Sequence, residues 1–366
     1  MNCCIECFCD SELRKIIDAT SIVGDCNFCG GEGVKIYPIG ETGEVEALIN
    51  SVVEEYEVSD KGYGDLETVL LEEWSIFSDK FFPVFEAGVY SFDTPEFPIE
   101  LVKALCSAFR DRNDDIYSKV VVLQQSDDDA MSEYGIVSGL DWESFSGEIK
   151  WGNRFHNNLF NSESMASFLT YAVKTYDEES VFYRARRAGN NKGLVVDEMG
   201  APPRGVSSAG RINPEGISVL YLASDAETAL SEIRASTYDF VSVGTFSAKK
   251  KFRVVNLLEL ARISPFVYGD LWQFVINQQC LRDFSDAVSK PLRRSDSHLD
   301  YLPTQFIAEF IKSENYDGVE YKSTMNPNGT NIAIFDEDLF QCIEVQTVEI
   351  SRIHFNTEPS IKSENR

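Results

Sequence analysis

A chain of 366 residues, 43% hydrophobic and 25% charged, has the composition of a water-soluble globular protein with room for two domains. No apolar run approaches the roughly 18 residues of a membrane span. The start, MNCCIECFCDSELRK, has neither the basic nor the apolar region of a secretory signal, so no membrane is expected and the expected location is cytoplasmic. The net charge of −27 is uneven: residues 1–150 carry 10 Lys and Arg against 32 Asp and Glu, and residues 151–366 carry 23 against 28. So acidic a first half speaks against binding nucleic acid by phosphate neutralisation and reads as a solvated helical surface.

Six of the nine cysteines lie in the first 29 residues. The pairs CIEC (4–7) and CNFC (26–29), eighteen residues apart, can set Cys4, Cys7, Cys26 and Cys29 around one Zn²⁺, with Gly30-Gly31 allowing the second turn to tighten. Disulfides are the alternative and suit a cytosolic chain less well. Cys3 and Cys9 flank the first pair and could replace a ligand in another register. A closed four-thiolate site leaves no position for water, so its zinc would be structural. Cys106, Cys280 and Cys342 are scattered and read as small buried hydrophobes.

Beyond the zinc segment, residues 44–57, 66–77 and 98–112 carry helical apolar periods with acidic outer positions. Residues 114–129 hold a β-branched run, VVV, closed by three aspartates. Residues 162–176 predict a further helix with Ser162 as its cap. His156, in WGNRFHNN (151–158), is one of only three histidines and reads as a surface or packing residue. From Val181 the pattern changes to short β-rich runs at 181–186, 217–223, 240–248, 252–260, 316–323 and 330–337. Helical stretches at 225–235, 270–286 and 304–315 lie between them, and the mixture predicts one α+β domain. The polar tail after Ile353 is expected to fray. These shifts divide the chain into a zinc segment (1–31), an acidic, mostly helical domain (32–178), a C-terminal domain (179–350) and a tail (351–366).

In GRINPEGISVLYLASDAETALSEIRA (210–235), Ser224 and Glu227 form a capping box, so a helix is expected from Asp225. Ala226, Ala229, Leu230 and Ile233 recur at helical spacing and should face the sheet. Glu227 points away, whereas Glu232 lies at the stripe's border, where its carboxylate can enter a cleft. Arg204, Arg211 and Asn213 sit on a Gly- and Pro-rich loop, a setting in which guanidinium groups suit phosphate. Further arginines come from YRARR (183–187), and Ser323 stands before an Asn- and Gly-rich turn. None of the nucleophile-elbow, zinc-protease, P-loop or dinucleotide-fold motifs is present.

The segments YRAR (183–186), GRINPEGISVLYLASDAETALSEIR (210–234) and YDGVEYKSTMNPNGTNIAIFD (316–336) together resemble the RES domain, named for its Arg, Glu and Ser. The resemblance spans roughly 180–345, and HLDYLPTQFIAEFIKSENYDGVEY (298–321) fits its longer members. The first thirty residues resemble the zinc-bearing N-terminal region of HEPN/RES type. The resemblance implies an α+β chain with a C-terminal ADP-ribosyltransferase-like RES domain, a mostly helical N-terminal domain and a small zinc-ribbon-like segment. Members of the family degrade NAD⁺ by phosphorolysis or hydrolysis, and many are toxins held by an antitoxin. Carried over by position, Arg184, Glu232 and Ser323 are the catalytic trio. Arg186, Arg211, Asn213 and Tyr221 would bind substrate, with Arg186 a second choice for the first arginine. Ala235 stands where relatives are expected to carry Pro. The implied cofactors and partners are structural Zn²⁺, NAD⁺ as substrate, inorganic phosphate as a co-substrate and an antitoxin or regulatory protein, with a homodimer left open. The alternatives are ADP-ribosyl transfer to a macromolecule and a non-catalytic, zinc-anchored interaction protein.

Overall fold

The computed structural model describes all residues except 41–42, 61, 63, 75, 79–95, 111–113, 118, 125–127, 157, 291–296 and 354–366, so the tail expected to fray lies almost wholly outside the described residues. Two compact units emerge. One comprises Met1–Tyr134 with Arg262–Gln278, and the other Gly135–Ala261 with Gln279–Arg366. The division thus falls well before residue 178. Phe160 is the physical reason, because its ring packs against Phe306 and Phe310 of the Leu302–Ser313 helix, and Phe145 of the Trp142–Trp151 helix packs against Phe306 as well.

The first unit opens with a small antiparallel sheet in the order β1-β3-β2, from Asn2–Cys4, Val23–Gly24 and Val34–Pro38. Asp10 caps the Ser11–Ala19 helix by accepting from the amides of Glu12 and Leu13 at 2.9 Å each. The helix expected over 44–57 stops at Val53, and Tyr56–Val58 becomes β4, paired antiparallel with β5 (Val121–Leu123). Tyr56 is buried and its hydroxyl accepts from Trp74 Nε1 at 2.8 Å, so tertiary pairing outweighs helical continuation there. The helix expected over 66–77 ends at Glu73 for a similar reason: Trp74 turns extended and is buried. The helix over 98–112 runs Glu96–Arg110, and a helix, Asp128–Tyr134, occupies part of the acidic loop.

The second unit is built on an eight-stranded sheet. Its strands are β6 (Val173–Tyr176), β7 (Val181–Ala188), β8 (Leu220–Ala223), β9 (Phe240–Ala248), β10 (Phe252–Asn256), β11 (Gly318–Lys322), β12 (Thr330–Ile334) and β13 (Phe340–Glu349). They lie in the order β13-β9-β7-β8-β12-β11-β10-β6, and only β10 and β11 run parallel. β6 stands where the 162–176 helix was expected to continue. The helix ends at Leu169, and the β-branched Val173 and Thr175 pair with Val255 and Arg253 instead. Its cap is Asn161 rather than Ser162, the Asn side chain accepting from the Ser164 amide at 3.0 Å. β13 carried no clear apolar alternation because it is an edge strand with a bulge between Cys342 and Glu344.

Large apolar groups fill one face of this sheet, among them Phe182, Leu222, Phe246, Phe252, Ile332 and Phe340. The other face carries Ala185, Ala223, Val241 and Val243, small enough for Ala229 of the Ala226–Glu232 helix to pack directly on them. At the centre of the sheet, β7 and β8 share a single pair, Tyr183 with Ala223, and then part. The candidate residues Arg184, Tyr221 and Glu232 gather at that split.

Candidate active site

The Ala226–Glu232 helix delivers a carboxylate to the split. Its N-cap is Asp225, one residue beyond the expected cap at Ser224: the Asp side chain accepts from the Thr228 amide and hydroxyl at 2.7 Å each. Partial burial works against ionisation of Asp225, but the Thr228 bonds outweigh it and hold its carboxyl below the usual range. Ser224 is used differently, accepting from the Thr330 amide and donating to Asp225. At the C-terminal end, Arg187 donates to the carbonyls of Ile233 and Arg234 at 3.2 and 2.6 Å, a cation at the negative pole of the helix.

Glu232 is held on one oxygen only. Its Oε1 accepts from Ser323 Oγ and from Asn331 Nδ2, both at 2.7 Å. Among the described residues Oε2 has no partner, and Glu232 lines two adjoining cavities of about 280 and 380 Å³. Ser323 is 1% exposed, and its Oγ also accepts from the amides of Met325 and Asn326. It therefore reaches the cavities through Glu232 and not by its own surface.

The smaller cavity occupies the parting of β7 and β8. Tyr183, Arg184 and Ala185 line it from one strand and Tyr221 from the other. Arg184 alternates in the pleat with its two neighbours, so all three can face one space only because the strands diverge. Burial pushes the Arg184 guanidinium down to about 10, with the charge of Arg186 adding to the effect, and at neutral pH it remains a cation. Its one bond among the described residues is long, 3.5 Å to the Tyr221 carbonyl, which leaves it able to take an anion or a polarised oxygen. Arg186 does not line the cavities; it donates to the Glu198 carbonyl.

The larger cavity is basic. Arg211, Arg234, Lys290 and Lys322 line it together with Tyr221, Tyr321 and Asn331. Arg211 is anchored by donating to the carbonyls of Val288 at 2.8 Å and Ala287 at 3.2 Å, near the end of the Leu271–Ser289 helix. Asn213 is only 2% exposed. Its amide nitrogen donates to the carbonyls of Ser208, Pro214 and Ile217, and its oxygen accepts from the Tyr221 hydroxyl at 2.7 Å. Asn213 thus shapes the 210–213 turn and aims Tyr221, whose ring faces both cavities. A Cβ at Gly210 would lie 2.6 Å from Asn213 Oδ1 and 2.8 Å from the Tyr221 hydroxyl, so the turn requires glycine. Gln305 of the Leu302–Ser313 helix donates to the Gly210 and Asn213 carbonyls and fixes the turn from below.

Asn331, Tyr321, Lys322 and Lys290 were not singled out from the sequence. Asn331 follows Thr330 at the start of β12, and only the register opposite Ala223 and Tyr321 brings it beside Glu232. Arg204 lines neither cavity, and His156 is exposed.

The cysteine pairs do converge. The sulfurs of Cys4, Cys7, Cys26 and Cys29 all lie within 4.8 Å of one another, with closest approaches of 3.3 to 3.8 Å. Four thiolates at about 2.3 Å from a common centre would stand about 3.8 Å apart, so the set fits a tetrahedral ion such as Zn²⁺. Cys26 Sγ accepts from the amides of Phe28 and Cys29, and Arg14 ties the first turn by donating to the carbonyls of Ile5 and Phe8. Gly30, at φ +72°, closes the second turn. Cys3 stands apart, its thiol directed at the Tyr37 carbonyl, and Cys9 is exposed. Cys106 is buried, whereas Cys280 and Cys342 are half-buried.

No helix among the described residues is long and apolar enough to cross a membrane. None of the curated proteins matches the chain. Among solved structures, the M. tuberculosis MbcT–MbcA toxin–antitoxin complex contains a chain similar to this one at 12% identity. The similarity covers 51% of this chain and 93% of that one, with a TM-score of 0.29. The family model described as the RES domain matches residues 181–356, the stretch that contains Arg184, Glu232 and Ser323, and this C-terminal part of the chain is a RES domain.

Proposed function

We propose that the RES domain cleaves the bond between nicotinamide and ribose in NAD⁺ and passes the ADP-ribosyl group to inorganic phosphate or water. The observation that carries this reading is the Glu232 carboxylate, clamped through Oε1 by Ser323 and Asn331 and turned toward two cavities. One cavity holds Arg184 and aromatic walls, and the other four basic side chains. Nicotinamide departs with the electron pair of the breaking C–N bond and becomes neutral, so no protein nucleophile is required. A new C–O bond forms to the acceptor, which gives up a proton. Glu232 opposes the positive charge that develops on the ribose and accepts a hydrogen bond from its hydroxyl. Tyr221 and Tyr183 wall the nicotinamide, while Arg211, Lys290 and Lys322 suit the pyrophosphate or an incoming phosphate.

In this reading the second unit, Gly135–Ala261 with Gln279–Arg366, carries catalysis, and residues 1–31 carry a structural zinc site held by Cys4, Cys7, Cys26 and Cys29. Bound Zn²⁺ would fix the two cysteine turns against each other without entering the chemistry. A protein covering the cleft, of antitoxin kind, would hold such an activity in check.

The test is chromatography of purified protein incubated with NAD⁺ in phosphate and in phosphate-free buffer. Nicotinamide with ADP-ribose 1″-phosphate would identify phosphorolysis, and nicotinamide with ADP-ribose in both buffers hydrolysis. Intact NAD⁺ in both would refute the reading. Transfer to a macromolecule would appear instead as label carried from NAD⁺ onto added protein or nucleic acid.

A further inference from the structure

A third cavity, of about 500 Å³, shares Arg211, Lys290 and Tyr301 with the basic one and so continues the line of cavities that begins at Arg184. Its remaining wall includes Trp142, Ser146 and Lys150 of the Trp142–Trp151 helix, which lies outside residues 181–356. Trp142 is half-buried and packs against the rings of Phe145 and Phe284, so it is held rigidly on the wall. Lys150 and Asp300 pair at 2.9 Å and cancel each other's charge. Ser146 is 7% exposed, and among the described residues its hydroxyl has no hydrogen-bond partner. A serine within a helix ordinarily bonds a carbonyl one turn back, and a buried hydroxyl left without a partner is costly.

We infer that this cavity takes the adenosine end of the dinucleotide, with Ser146 donating to or accepting from the base or its ribose and Trp142 and Tyr301 flanking the rings. The inference rests on the NAD⁺ reading above. A flat aromatic wall, a neutralised ion pair and one unpaired hydroxyl suit an uncharged nucleoside and not a further phosphate, whose place is the basic cavity next to it. The substrate would thus lie with nicotinamide by Arg184, pyrophosphate by Arg211 and Lys290, and adenosine against a helix that the RES domain itself does not supply.

The experiment compares full-length wild type with Ser146→Ala and Ser146→Leu on two substrates, NAD⁺ and nicotinamide mononucleotide, which lacks the adenosine half. Because the Ser146 hydroxyl bonds nothing among the described residues, Ser146→Ala should leave the melting temperature unchanged or raise it. The ratio of kcat/KM for NAD⁺ to that for the mononucleotide should fall about 3- to 10-fold in Ser146→Ala, from one lost hydrogen bond, and further in Ser146→Leu, which fills the cavity. The loss should appear in KM. An unchanged ratio in both folded variants would overturn the inference while leaving NAD⁺ cleavage intact, as would an equal loss on both substrates. A wild type inert towards both would instead remove the NAD⁺ reading, and this one with it.

Discussion

Replacing Glu232 with Gln tests the centre of the site with little change in shape. The amide oxygen can still accept from Ser323 Oγ and Asn331 Nδ2, which meet the carboxylate at 2.7 Å each. What turns toward the cavities is then an NH₂ group in place of an anionic oxygen. A unit charge about 4 Å from a developing cation is worth about 4 kcal/mol at an effective dielectric of about 20, and about half that in a site more open to water. Glu232 is exposed at the mouth of its cleft, so the range is about 2–4 kcal/mol, or about 30- to 1,000-fold in kcat. Folding should hardly respond, since both hydrogen bonds survive and no core contact changes; a shift within about 0.5 kcal/mol is expected. Nicotinamide release gives the rate and thermal melting gives the fold. A folded Glu232→Gln protein with kcat within a few-fold of wild type would refute the electrostatic role of this carboxylate.

Ser323→Ala should lower kcat by releasing Glu232, and should also cost about 1–3 kcal/mol of stability, because the amides of Met325 and Asn326 lose their acceptor; kinetics and denaturant melts read the two effects separately. Asp225→Ala removes the cap of the Glu232 helix and should cost about 1 kcal/mol at pH 7. The Asp225 carboxyl is held below its ordinary value of 3.8 in the folded protein, so its contribution is fully present above that pH and lost as pH falls through the lower folded value. The gap in stability between wild type and Asp225→Ala should therefore close below about pH 4. Metal analysis should find one zinc per chain, and Cys26→Ser should abolish it and lower the melting temperature while leaving the composition of the reaction products unchanged.

Much of this was legible along the chain because it depends on local spacing. Two CxxC turns carry their own geometry, so Cys4, Cys7, Cys26 and Cys29 could be named without knowing what surrounds them. A helical period put Ala229 on the sheet and Glu232 at its border, and the structure has Ala229 buried and Glu232 lining the cavities. Strand runs from Val181 onward were visible for the same reason, apart from edge strand β13, and the helix Trp142–Trp151 escaped notice. Where local preference and pairing disagreed, at Tyr56–Val58 and Val173–Tyr176, pairing prevailed.

Residue types and their order determined that an arginine, a glutamate and a serine are available at element ends, and that four thiols can share one ion. Only the tertiary structure separated the arginines of YRARR by position, with Arg184 in the split, Arg186 on a carbonyl and Arg187 at a helix end. It likewise made Ser323 a holder of Glu232, and it recruited Asn331, which stands 99 residues from Glu232 in sequence. Side-chain period reports which face of an element is apolar, but a hydrogen bond across a sheet depends on register, and register is set by partners far away in the chain.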